Sequence, residues 1–137
     1  EKGQGAFLND RRIRVAARRD LAQAVVATGI PHLGRPGHKP FLTELAAVMN
    51  EVAGVRRSGS AALDMAYVAA GRYDAYWEAN LAAWDLAAGI ILVREAGGFV
   101  SDLDGRDGML VTGSAIAGNE TLQAQLAKVL KRARAAA

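Results

Sequence analysis

Two carboxylates and one glycine turn are the residues of this chain whose types and spacing suit chemistry. Glu78 closes the aromatic run Tyr73–Trp77, which reads as a strand. Asp85 follows Trp84 at the head of WDLAAGIILVREAGG, residues Trp84–Gly98. Carboxylate oxygens suit hard cations such as magnesium, so Asp85 is a candidate ligand at the edge of a cleft. A carboxylate in the first turn of a helix equally answers the dipole and the free amides there. The third feature is Gly59-Ser60-Ala61, between the strand-like Val55–Ser58 and a helix expected over Ala61–Ala70. Free amides at that junction could receive a phosphate or a hydroxylated ligand. Ordinary architecture also accounts for it, with glycine making the turn and Ser60 the N-cap. Ligands of α/β folds gather outside strand ends, so all three features could share one cleft. A two-metal phosphoryl site needs more carboxylates than these. Neither a Walker loop nor a Ser-His-Asp set with a nucleophile elbow is present. Residue chemistry alone defines half a site.

The elements that must position these residues alternate between strand and helix. Leu86–Ala96 carries only two charges, Arg94 and Glu95, and reads as a buried helix closed by Gly97 before the strand Phe99–Leu103. Trp84 reads as a packing residue. Gly5–Leu8 and Arg12–Ala16 flank Asn9-Asp10 as a hairpin. Asp20, with Gln23 at capping-box spacing, predicts a helix through LAQAVVATG to Gly29. Ile30–Pro40 holds all three prolines and both histidines, and reads as a surface loop. His32 and His38 there lack a nearby acid or cysteine and read as loop histidines. Phe41–Val52 is expected to be a helix with Leu42, Leu45, Ala46 and Met49 on its inner face. Ser114–Ala117 is a short strand, and Asn119 caps a last helix with a Leu122, Leu126, Val129, Leu130 stripe. Short connections and no repeats predict a single α/β unit.

Composition bounds the function classes. The 137 residues are the length of one domain, with 51% hydrophobic and 23% charged residues, a globular rather than disordered balance. Cysteine is absent, which excludes disulfides and thiolate sites and fits a reducing cytoplasm. No apolar run is long enough to span a bilayer. The opening EKGQGAFLND has no signal-peptide features, and without an initiator methionine it reads as a start in mid-domain. The net charge of +3 comes from Arg11, Arg12, Arg14, Arg18 and Arg19 near the start and Lys128, Lys131, Arg132 and Arg134 near the end. The second group suits the C-terminal end of a helix. With no recognisable module and no interleaved exposed aromatics, nucleic-acid binding is not expected.

WDLAAGIILVREAGG, with GSAALDMAYVAAGRYDAYWE upstream, resembles the C-terminal signature of the inositol monophosphatase family of magnesium-dependent, lithium-sensitive phosphatases. GAFLNDRRIRVA resembles a hairpin from the middle of those enzymes, and GSAIAGNETLQAQL their last strand and helix. The resemblance implies the C-terminal sheet-and-helix half of the layered α-β-α-β-α sandwich of the inositol monophosphatase/fructose-bisphosphatase-like fold, usually a homodimer. It implies that Asp85 ligates a catalytic Mg2+ and that Glu78 holds a substrate hydroxyl. By the same likeness Gly59, Ser60 and Ala61 line the sugar-ring pocket, and Arg56 lies near the pocket and the subunit interface. The family's Glu-Glu metal segment, its DPxDGT motif and an earlier aspartate belong to an N-terminal half and do not occur here. The expectation is therefore the polyol side of a phosphate-monoester hydrolase, inactive by itself and partnered by the missing half. Histidinol phosphate, fructose bisphosphate or a nucleotide-derived phosphate are alternative substrates, and a non-catalytic dimerisation or regulatory module is the alternative from another class.

Overall fold

The computed structural model describes residues 1–136. Its centre is a five-stranded mixed sheet in the order β4-β3-β5-β7-β6, formed by β3 (Val25–Thr28), β4 (Gly54–Arg56), β5 (Ala75–Glu78), β6 (Phe99–Ser101) and β7 (Ala115–Gly118). The β3 strand pairs in parallel with both β4 and β5, while β7 runs antiparallel to β5 and β6. The sheet separates two helical layers, and strand alternation sorts the core between them. On one face Ala27, Tyr76, Ala115 and Ala117 meet α2 (Ala61–Ala69) and α3 (Ala83–Glu95) through Met65, Val68, Leu86, Ile90 and Val93. On the other, Val26, Ala75, Trp77 and Ile116 meet α1 (His38–Met49) and α5 (Glu120–Ala136) through Phe41, Val48, Leu122, Leu126 and Leu130. A short helix α4 (Met109–Thr112) lies between β6 and β7. The α2–α3 contact depends on Gly89, where a Cβ would stand 2.6 Å from the Met65 side chain.

The hairpin is present as β1 (Phe7–Leu8) and β2 (Arg11–Arg12). Asn9 and Asp10 both take positive φ, 51° and 64°, as the tight turns that match strand twist require. Asn119 caps α5 through Oδ1, which accepts the Leu122 amide at 2.8 Å. Its stripe of Leu122, Leu126, Val129 and Leu130 is buried.

Three expectations are corrected. The segment after Asp20 is no helix: Asp20 caps a single 3-10 turn, Leu21–Gln23, and the chain then extends into β3. An apolar run in a central parallel strand is buried on both faces, so its pattern does not distinguish it from a buried helix. In α1 the buried face is Phe41, Glu44 and Val48, whereas Leu42 and Met49 are exposed. Two stripes at helical spacing competed there, and stacking of Phe41 on Trp77, with centroids 6.2 Å apart, marks the one that docks. The α3 helix is buried on one face only, through Leu86, Gly89, Ile90 and Val93. Ala87 and Ala88 are exposed.

Candidate functional site

A cleft of about 560 Å³ opens where β3, β4 and β5 end and α2 and α3 begin. It gathers Glu78, Gly59, Ser60, Ala61 and Asp85. Its rim includes the loop after β3, which is clipped to the β5–α3 connection. The Arg35 guanidinium donates to the Asn80 carbonyl at 2.9 Å, and the Asn80 amide donates to the Pro36 carbonyl at 3.3 Å.

At the α2 end, Ser60 is the N-cap and its Oγ accepts the Leu63 amide at 3.3 Å. The amides of Ala61 and Ala62 belong to the first helical turn, which has no intrahelical acceptors for them. Gly59 sits at φ 90°, the left-handed region that favours glycine. Beneath this turn lies Asp64, fully buried, whose Oδ1 accepts the Ser58 hydroxyl at 2.5 Å. Its Oδ2 is buried with no hydrogen-bond partner among the described residues. Burial pushes the Asp64 carboxyl above its ordinary range, against the Ser58 hydrogen bond and the Arg57 charge.

At the α3 end, Ala82 is the N-cap and cannot cap with its own side chain. Asp85, three residues on, supplies the return half of a capping box: its Oδ2 accepts the Ala82 amide at 2.9 Å. That is the architectural use of this carboxylate, and it engages one oxygen only. A half-buried carboxylate with a second oxygen available at a cleft rim fits one ligand position of a magnesium ion. It does not make a whole shell: among the described residues, no three His, Asp or Glu side chains come together as a metal cage.

Glu78 is the last residue of β5. Its Oε1 accepts the Tyr76 hydroxyl at 2.6 Å. Burial raises its pKa, the carboxylates of Asp64 and Asp85 add to the rise, and the Tyr76 hydrogen bond and Arg35 oppose it. The side chain lies over Gly29, where a Cβ would fall 2.1 Å from the carboxyl carbon. Tyr76 itself is driven far above the ordinary phenol range, first by burial and then by Glu78.

Arg56 does not line the cleft. It is exposed on the edge strand β4, with Nη1 donating to the Val55 carbonyl at 3.0 Å. Arg57, the next residue and so on the opposite side of the chain, lines the cleft in its place. Trp84 does not pack within this unit: it stands 84% exposed on the rim. Of the two histidines expected in a loop, only His32 is in one: His38 is the first residue of α1, its Nε2 on the His32 carbonyl, while His32 Nδ1 meets the Leu33 carbonyl, both at 3.0 Å. Sequence reasoning did not single out Gly29, Arg35, Arg57, Asp64, Tyr76 or Asn80 as site residues. Two left a signal. Asp64 is the sole charge in an apolar helix, and Tyr76 precedes Glu78 by two, hence on the same strand face. The deep end of the cleft is lined by Phe41, Trp77, Leu103, Arg134 and the buried Glu44, whose carboxyl is pushed up by burial and held back by Arg134.

A three-layer α/β unit with an acid-lined cleft at strand ends is a common plan, and comparison with known proteins makes it specific. The Inositol monophosphatase family profile matches residues 1–135. An inositol-1-monophosphatase of Mesorhizobium japonicum is 61% identical over 132 residues, covering 96% of this chain and 50% of the relative. The Nus factor SuhB of Escherichia coli K12 is 46% identical over 129 residues, covering 93% of this chain and 48% of the relative. Among solved structures, the extragenic suppressor protein suhB from Bartonella henselae superposes with a TM-score of 0.93 at 58% identity, over 96% of this chain and 50% of that one. The chain belongs to the inositol monophosphatase family. It spans about half the length of the curated relatives it matches.

Proposed function

We propose that this chain forms the polyol-binding side of a magnesium-dependent phosphate-monoesterase acting on inositol monophosphate or a similar sugar phosphate, and that a complementary N-terminal half supplies the remaining metal ligands. The observation that carries the reading is the convergence of Glu78, the Gly59–Ala61 turn and Asp85 on one cleft. The name of the Mesorhizobium japonicum relative, inositol-1-monophosphatase, supports the substrate class.

In this reading the Glu78 carboxylate accepts a ring hydroxyl of the substrate, and the Ala61 and Ala62 amides with the Ser60 hydroxyl donate to neighbouring oxygens. Asp85 would be one of the residues holding Mg2+, while its Oδ2 secures the start of α3. When bound, magnesium supplies an activated water and neutralises charge on the phosphoryl group and leaving oxygen. The chain's own part is to fix the position and orientation of the polyol in the cleft. Arg56 stays a weaker candidate, for a subunit contact rather than for the pocket, in a homodimeric cytoplasmic enzyme.

Asp85→Asn in the intact enzyme tests the assignment. It should weaken magnesium binding and cut turnover of inositol monophosphate by orders of magnitude. Unchanged magnesium affinity and kinetics would contradict the role. The Escherichia coli relative's name, Nus factor SuhB, favours a second reading in which this fold acts as an assembly module. That role would survive Asp85→Asn and Glu78→Gln together.

A further inference from the structure

Glu78 reaches the cleft as a carboxylate on three rotatable bonds, whose ordering opposes binding unless the fold has already supplied it. Two features of the sheet supply it. Tyr76 sits two residues earlier on the same strand face, fully buried in the α2–α3 layer, and its hydroxyl donates to Glu78 Oε1 at 2.6 Å. On the neighbouring strand's end, buried Gly29 leaves open the volume the carboxylate fills: a Cβ there would stand 2.1 Å from both Cδ and Oε2. The carboxylate is thus clamped between a donor and a void shaped to it.

We propose that Tyr76 is a positioning residue that sets substrate specificity, its hydroxyl engaging Glu78 Oε1 and thereby orienting Oε2 as the acceptor for one hydroxyl of a cyclic polyol phosphate. The proposal rests on the reading of Glu78 as the hydroxyl acceptor. Its chemistry is one-directional. Burial and the neighbouring carboxylates keep the Tyr76 phenol protonated, so it donates to Glu78. The charged groups around Glu78 are Asp64 on α2, Asp85 on α3 and Arg35 on the rim loop, and two of these three are acids. A tyrosine that holds the carboxylate adds no cation beside it, so Glu78 is left to accept a neutral hydroxyl. With Oε1 occupied by Tyr76, Oε2 is the better-placed acceptor, so a substrate whose hydroxyl is missing or misplaced forfeits that hydrogen bond.

The test uses the intact magnesium-loaded enzyme, with inositol monophosphate and its monodeoxy analogues as substrates. Tyr76→Phe should raise KM for inositol monophosphate about ten-fold with kcat within about two-fold, and leave the analogue lacking the contacted hydroxyl unaffected. Glu78→Gln should lose the same discrimination, and the double variant should be no worse than Glu78→Gln alone, since the tyrosine acts through the glutamate. Gly29→Ala, which displaces the carboxylate without touching Tyr76, should move discrimination in the same direction. Full discrimination in folded Tyr76→Phe, additive effects in the double variant, or full discrimination in Gly29→Ala would each overturn the proposal while leaving Glu78 as the acceptor. Full discrimination in Glu78→Gln would remove the reading of Glu78 itself.

Discussion

Because Asp85 commits Oδ2 to the Ala82 amide, substitutions there separate its architectural role from its chemical one. Asparagine keeps an acceptor for the cap and removes the charge a cation needs; alanine removes both. Asp85→Ala should therefore lower the stability of this chain by about 1 kcal/mol, the usual cost of a lost cap, while Asp85→Asn should stay within about 0.5 kcal/mol of the parent. Denaturant melts of the two variants check this, and equal losses would mean that the negative charge, not the hydrogen bond, secures α3. Read from sequence, Asp85 supports the capping and the ligating interpretation equally, since both need a carboxylate in the first turn. The structure shows the capping bond on Oδ2, and the ligation proposed above would fall to Oδ1. Trp84, expected to pack, is uncovered on this unit for a related reason: burial of a tryptophan at a helix start depends on what faces it, and sequence spacing does not carry that.

At the scale of elements, α2 is built over a buried charge. Asp64 is raised above its ordinary 3.8, so its contribution to stability is fully present below that value and lost as pH rises through the raised folded pKa. Asp64→Asn keeps an acceptor for Ser58 and removes the titration. Melting temperatures across pH 4 to 8 should fall less steeply in Asp64→Asn than in the parent; parallel curves would mean that Asp64 titrates as it does in the unfolded chain. The elements themselves were legible to differing degrees. The hairpin at Asn9-Asp10, the α5 stripe and the cap at Asn119 follow from local chemistry and stand as expected. β3 and the inner face of α1 do not follow from local chemistry, because partners elsewhere in the chain decide them: β4 and β5 for the strand, Trp77 for Phe41. The motif-bearing segments around Gly59 and Asp85 were placed correctly at strand-to-helix junctions. Arg56 missed the cleft by the single residue that flips a strand side chain to the other side.

At the scale of the molecule, a sheet with α1 and α5 on one face and α2 and α3 on the other holds a cleft whose acids come from three separate elements: Glu44 on α1, Glu78 on β5 and Asp85 on α3. The cleft is legible in sequence as three strand-end features; its closing rim is not, because Arg35 and Asn80 meet across 45 residues of sequence. Exposed Leu33, Trp84 and Val111, 95%, 84% and 92% accessible, are apolar side chains left uncovered on this unit. Together with the shared length, about half of each relative, they support the proposal that a complementary half completes both the surface and the metal shell. The measurement that tests this most directly is a chimera in which this chain replaces the matching half of the Mesorhizobium japonicum inositol-1-monophosphatase. The chimera should hydrolyse inositol monophosphate in a magnesium-dependent way, lose that activity with Asp85→Asn, and outperform the isolated chain, which should show none. A folded chimera without activity, or an isolated chain that hydrolyses the substrate unaided, would contradict the assignment of this chain as the polyol side of a two-part site.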